Sequence, residues 1–433
     1  MECGEYLTLL LLPWQRLWHN GRSLAKRGGT FAGLSQSRDA IARDDGKLQR
    51  RSSMHKKLMV VAVAGALAAP VTALAQTTIY GYFNAEWGVQ VDQPNLANGN
   101  ARATGEGFNS GASRIGFRGE EKMGGGLSAW YQCESEIAIF PRGNEAQGTN
   151  IAPSDALWCT RNSAIGLKGG FGNFYIGSWD SPLKKASAVT RITNETGWMG
   201  TQGMTLRQGP GSPNMSQRNT DSFNYDTPNL GGFSGSLQVT TKQATLDAPD
   251  ATPPNTDGRI LSLNAMYATG RLAVVAGYTK NEKNRAVGGL TFDGAEDTAW
   301  LGGVKYGFGP VELGFTYTER ETNNTATTNG KRAGWNLAGT WAISGPHSLI
   351  AGYSVADDLK GNLAQSGSET GATQMLVGYK YGFSKRTVGT IGYVKLDNDT
   401  NGAWSLTDLA SGSANVQTGQ SASAFVLSLS HTF

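Results

Sequence analysis

From Thr77 onward, apolar and polar residues alternate with a period of two in segments of roughly ten residues, the spacing of two-faced β-strands. In the first, TTIYGYFNAEWGVQV, Ile79, Phe83, Ala85, Trp87 and Val89 share one face and Tyr80, Tyr82, Asn84 and Glu86 the other. A polar loop follows, then SRIGFRGEEKMGGGLSAWYQCESEIAI, two strands about Gly124-Gly125-Gly126 with Arg114, Arg118, Gln132, Glu134 and Glu136 on the polar face. The same strand, turn, strand pattern recurs in SAIGLKGGFGNFYIGSW, FNYDTPNLGGFSGSLQVTT, LSLNAMYATGRLAVVAGYT, AWLGGVKYGFGPVELGFTYTE, NLAGTWAISGPHSLIAGYS and MLVGYKYGFSKRTVGTIGYV. The last segment, FVLSLSHTF, sets Phe425, Leu427, Leu429 and His431 against Val426, Ser428, Ser430 and Thr432, and the chain stops on Phe433.

No helical periodicity separates these segments, and tight Gly-rich turns alternate with long polar loops. A soluble sandwich brings its greasy faces together and uses fewer strands, and a parallel β-helix shows a fixed short repeat, which is missing here. The pattern predicts an all-β fold: a closed antiparallel transmembrane β-barrel of about 16 strands, with short periplasmic turns and long external loops. Tyr306, Phe308, Tyr381 and Phe383 beside the tight turns suit an interfacial aromatic girdle. Closure removes the exposed edge, because the last strand pairs with the first.

The start of the chain changes the charge and cysteine picture. MHKKLMVVAVAGALAAPVTALAQ, from residue 54, has Lys56 and Lys57, an apolar run too short to span a bilayer, and Ala73-Leu74-Ala75. It reads as a signal peptide cleaved after Ala75. Residues 1–53 then precede a normal start, and the expectation is that they are a mis-assigned start or an unstructured extension. Residues 1–75 hold 11 Lys and Arg against 5 Asp and Glu, leaving 27 and 29 in residues 76–433, so the basic balance of the whole chain is not a nucleic-acid signature. The exported part keeps Cys133 and Cys159, a pair in a disulfide-permissive compartment. Alternation puts both on outward faces of adjacent strands, where a bond forms only if they stand directly opposed.

The chain reads as a channel with no cofactor and no metal. After cleavage only His347, in the turn SGPHS, and His431, on the last strand, remain, and neither reads as part of a catalytic triad. There is no metal-ligand cluster, and GGFGNF is a hairpin turn instead of a phosphate cradle. An adhesin barrel calls for greatly enlarged loops or a plug domain, which are missing.

The motifs IYGYFNAEWG, SRIGFRGEEKMGGGLSAWYQCE, RNSAIGLKGGFGNFYIGSWDSP, YKYGFSKRT and the terminal HTF, in this order over residues 76–433, resemble the general porins of Gram-negative bacteria, the group of Neisseria, Bordetella and Burkholderia. The resemblance implies a homotrimer in the outer membrane, surrounded by lipid and lipopolysaccharide. It also implies one water-filled pore per subunit for small hydrophilic solutes and ions, narrowed by an infolded third external loop. The longest connection, residues 181–218, stands at that position. The pore-lining candidates are then Arg114, Arg118, Glu134 and Glu136 on the wall and Lys184, Lys185, Arg191, Glu195 and Arg207 on the loop. Lys184 and Lys185 either face the opening or turn to wall carboxylates and hold the loop. The basic majority in the loop points to anion preference, which wall carboxylates would reverse. A channel specific for a sugar or organic acid is the alternative, with Tyr80, Tyr82 and Arg114 as the start of a track. Phe433 resembles the C-terminal signal read by the barrel-assembly machinery.

Overall fold

The computed structural model describes residues 77–92, 106–140, 158–193, 197–207, 215–241, 258–282, 286–287, 290–291, 296–325, 328–363, 367–406 and 418–433. Residues 1–53, the signal segment 54–75 and Glu195 lie outside the described residues.

Sixteen spanning strands follow one another. They are β1 (Thr78–Asp92), β2 (Arg114–Gly124), β3 (Leu127–Glu136), β4 (Ser163–Gly169), β5 (Gly172–Asp180), β6 (Arg218–Asp226), β7 (Phe233–Thr240) and β8 (Ile260–Thr269). The second half comprises β9 (Leu272–Glu282), β10 (Glu296–Phe308), β11 (Val311–Thr325), β12 (Thr328–Ser344), β13 (His347–Ala356), β14 (Ala372–Gly382), β15 (Thr387–Asn398) and β16 (Ala422–Thr432). Each pairs antiparallel with its chain neighbours, and β16 returns to β1 with Tyr82 opposite Thr432 and Val89 opposite Phe425. The short strand Glu106–Asn109 continues the line of β2 along β1.

Alternation sorts the side chains as the period-two pattern requires. Phe83, Phe117, Ile165, Phe174, Phe223, Trp300, Phe315, Leu337, Val377, Ile391 and Phe425 stand exposed on the outside, while Asn84, Glu86, Gln90, Thr316, Asn336 and Gln374 are buried inside. An apolar outer belt around a polar interior suits a wall between lipid and a wet lumen. On the tight-turn side, Tyr306 meets Phe308 and Tyr381 meets Phe383 edge-on. The β2–β3 turn needs φ of +88°, +58° and +78° at Gly124, Gly125 and Gly126, which glycine adopts without a Cβ penalty.

The barrel closes over Phe433. Its backbone N–H donates to the Gly81 carbonyl at 3.1 Å and its carbonyl accepts from the Gly81 N–H at 3.2 Å. The ring stacks on Phe83 with centroids 5.6 Å apart, and it covers Gly81, where a Cβ would stand 2.2 Å from the ring.

Three sequence expectations change. The β11–β12 connection is only residues 326–327, because both strands run on past the level of their neighbours and need no long loop. The segment after β5 holds an α-helix, α1 (Pro182–Thr190), and a 3-10 turn, Gly203–Leu206, where no helical element was expected. The helix starts at Ser181, whose Oγ accepts from the Lys184 N–H at 3.2 Å, with Pro182 next in line. The inner wall, finally, is not polar throughout: Ile350, Leu376, Val394, Leu396, Ala422, Ala424 and Val426 on β13–β16 form an apolar cluster with Trp198, Met199, Met204, Trp404 and Leu406.

That inner apolar surface exists because the segment after β5 lies on it. Helix α1 occupies a trough on β9–β11 made by missing side chains: a Cβ on Gly277 would be 2.9 Å from the Ala186 Cβ, one on Gly303 2.7 Å from the Thr190 methyl, and one on Gly314 2.0 Å from the Thr190 carbonyl oxygen. Leu183, Ala186, Leu206, Met215, Val275, Ala299 and Leu301 pack around it. Gly314→Val therefore displaces the helix end and leaves the outer ladder intact. Trypsin cleavage after Arg191 and Arg207 should become at least about tenfold faster with an unchanged β-sheet circular dichroism signal; unchanged cleavage would show that the trough does not set the segment's position.

Candidate functional site

The segment after β5 crosses the lumen, and its described residues are fastened to the wall at successive points. The Leu183 N–H donates to Ser262 Oγ at 3.2 Å and Asn264 Nδ2 to the Pro182 carbonyl at 2.7 Å, both on β8. Farther along, Thr318 donates to the Thr205 carbonyl at 2.6 Å, Asn336 to Thr201 Oγ1 at 3.0 Å, Ser354 to the Thr201 carbonyl, and Gln374 to the Gly200 carbonyl at 2.9 Å. The tip reaches β1, where the Trp198 N–H donates to Glu86 Oε2 at 2.9 Å and the indole lies over Gly88. These contacts run from β8 around to β1, and only the lysines of α1 reach toward β5 and β6, so the opening lies between this segment and the inner faces of β2–β6.

That remaining wall carries charge. Arg114 and Arg118 on β2 rest on the rings of Tyr82 and Tyr80, 5.1 and 5.0 Å from the centroids. Glu134 on β3 receives Arg161 Nε at 2.8 Å and the Tyr80 hydroxyl at 3.0 Å, with Arg114 Nε 3.6 Å away. Arg161 Nη1 also donates to Glu136 at 3.3 Å. Beside them Asp180 takes Arg218 at 3.1 Å, Asn162 Nδ2 at 3.0 Å and, more distantly, Lys184 at 3.9 Å. Burial pulls the Arg161 guanidinium down, but the hydrogen bond to Glu134 and the charges of Glu136, Glu134 and Asp180 more than offset this and hold its pKa above the ordinary value.

The five cations Arg114, Arg118, Arg161, Arg218 and Lys184 outnumber the three carboxylates Glu134, Glu136 and Asp180. Depth favours the cation at Glu134, whose side chain is 8% exposed against 33% for Arg114, whereas Glu136 and Asp180 stand more open than Arg161 and Arg218.

The sequence candidates separate on this wall. Arg114, Arg118, Glu134 and Glu136 share the inner face of β2–β3, and Lys184 joins them through Asp180. Lys185 turns to the wall: its Nζ donates to Asp226 at 2.6 Å and to the Tyr175 hydroxyl at 2.8 Å, which holds α1 in place. Arg191 follows α1 and Arg207 follows the 3-10 turn, both half-buried on the segment. Sequence reasoning did not place Arg161, Asp180 or Arg218 among the pore-lining residues. Arg161 precedes β4 in an irregular stretch, where strand parity assigns no face.

Cys133 and Cys159 form a disulfide, with Cα atoms 4.7 Å apart. Cys133 lies on β3, but Cys159 lies ahead of β4 at φ +62° instead of on a strand, a correction to the expected placement. The Cys159 N–H donates to Ser135 Oγ at 2.9 Å and the Arg161 N–H to the Glu134 carbonyl at 2.8 Å, so this stretch lies along β3 and presents the Arg161 guanidinium to both glutamates.

Comparisons with known proteins agree with this architecture. The major outer membrane protein P.IB of Neisseria gonorrhoeae is 28% identical over 352 residues, covering 77% of this chain and 91% of that one. The match to P.IB of Neisseria meningitidis serogroup B is 33% identical over 188 residues, 43% of this chain and about half (49%) of that relative's length. Among solved structures, an anion-selective porin from Comamonas acidovorans superposes with a TM-score of 0.65 at 22% identity, covering 83% of this chain and all (100%) of that one. The Vibrio cholerae outer membrane protein OmpT in its trimer form gives 0.58 at 17% identity, covering 83% and 99%. Both structures share the fold. The family model described as Gram-negative porin matches residues 60–401, and the chain belongs to that family: an outer-membrane barrel through which small solutes diffuse passively.

Proposed function

We propose that the channel prefers small anions and organic acids, and that Arg114, Arg161 and Arg218, with Arg118 and Lys184 beside them, set this preference. The observation that carries the reading is the surplus of positive charge on the β2–β6 wall, where Glu120 and Asp226 are matched by Lys168 and Lys185 and Glu134 is sunk behind Arg114 and Arg161. Arg191 and Arg207 add positive charge on the opposing segment. A passing ion needs no tight partner here. It needs a potential that replaces part of its hydration without trapping it.

The same reading makes the working unit a homotrimer embedded in lipid and lipopolysaccharide, carrying out diffusion without catalysis. Phe433, stacked at the closing seam, serves as the signal for the barrel-assembly machinery.

Planar bilayers with a salt gradient test the selectivity. Wild-type channels should give a reversal potential of the sign for chloride permeation. Arg161→Glu should lower the anion-to-cation permeability ratio about fivefold, as expected when a two-unit charge change roughly 8 Å from the ion, screened by about 0.1 M salt, acts with opposite sign on anion and cation in a watery lumen. A cation-selective wild type, or an unchanged ratio in the variant, contradicts the proposal. Deletion of Phe433 should cut the yield of outer-membrane trimer sharply while leaving the conductance of the surviving channels unchanged; a normal yield removes the assembly role.

A further inference from the structure

Below the arginines the lumen wall carries an aromatic surface that wetting does not require. Trp130 on β3 and Tyr175 and Trp179 on β5 all point inward, with centroids 5.3 Å apart for Trp130–Tyr175, 5.6 Å for Trp130–Trp179 and 5.1 Å for Tyr175–Trp179. Strand β4 runs between them, and the rings meet only because it places Gly166 there: a Cβ would be 2.7 Å from Trp130 Nε1 and 2.6 Å from the Tyr175 Cβ. Trp130 Nε1 donates to Asn173 Oδ1 at 2.7 Å, which fixes the indole plane. Tyr175 is buried beneath, whereas Trp130 and Trp179 are half-exposed. Porin interiors are polar, so a locked, partly open pair of indoles stands out.

One strand over, Arg118 is exposed and rests on Tyr80, and no carboxylate among the described residues lies within ion-pair distance of it. Arg118 stands opposite Gln132 and Trp130 opposite Glu120, so Arg118 and Trp130 are diagonal neighbours about 7 Å apart on the inner face. That spacing fits a carboxylate joined to a six-membered aromatic ring, with the ring on the indoles and the carboxylate on the guanidinium. Offset stacking and a charge-assisted hydrogen bond then act on one solute.

We infer that Trp130, Trp179 and Arg118 form a subsite in the lumen wall for aromatic carboxylates, which slows their passage relative to small aliphatic acids. The inference rests on the anion-preferring pore proposed above and assigns it a solute class.

The test measures single-channel chloride current through the wild-type protein during titration with benzoate and, separately, with acetate of the same charge. Benzoate should reduce the current saturably, and acetate should not. Trp130→Leu and Arg118→Gln should each raise the half-blocking concentration of benzoate about tenfold, the scale of one stacking contact in the first and of one charged hydrogen bond in the second. Equal responses to benzoate and acetate, or block unchanged in both variants, overturn the subsite. The reversal potential in the same membranes reports on the arginine reading separately: an anion-selective channel indifferent to benzoate refutes the subsite alone, and a cation-selective one refutes the parent proposal.

Discussion

Backbone hydrogen bonding in lipid governs this structure. A strand facing hydrocarbon cannot leave N–H or C=O groups unpaired, so the ladder must close on itself. Here it closes at the first and last strands, with Phe433 bonded to Gly81 through both backbone groups. The terminal ring then fills the space that Gly81 leaves, and the aromatic ending becomes part of the seam.

Closure with sixteen strands sets a circumference, and the circumference leaves an interior that side chains alone do not fill. The segment after β5 takes up that space. It packs as a soluble core does, with Trp198, Met204 and Leu183 fully buried against apolar residues inside the barrel. The molecule therefore has two apolar surfaces of opposite purpose, an outer one for lipid and an inner one for its own loop. The opening is pushed to the side where neither applies, the charged wall of β2–β6. Selectivity and stability are thus assigned to different sectors of one sheet. Glu134 and Asp180 hold the arginines in place on one sector, and glycines admit the loop on the other.

Much of this was legible in the sequence. Period-two alternation fixed the faces of Ile79, Phe83, Arg114, Glu134 and Phe425, because a strand leaves a side chain only two directions. The apolar inner cluster was not legible: Leu376, Val394 and Leu396 read as ordinary strand residues until the loop is known to lie on them. Helix α1 is nine residues long and depends on a trough from three distant glycines, a tertiary cause that local periodicity does not record. Arg161 escaped because its position is set by pairing along β3 and by the Cys133–Cys159 bond, not by strand parity. Lys185 could be read two ways from sequence, and Asp226 decides between them in the structure.

The opening is off-centre, bounded by β2–β6 and excluded from β13–β16. Cysteine accessibility from the lumen tests it most directly, with an anionic methanethiosulfonate reagent added to open channels in a bilayer. Fast modification and a current change are expected at Arg118→Cys, and no reaction at Leu376→Cys, which lies beneath the infolded segment. Equal reaction at both positions would contradict it.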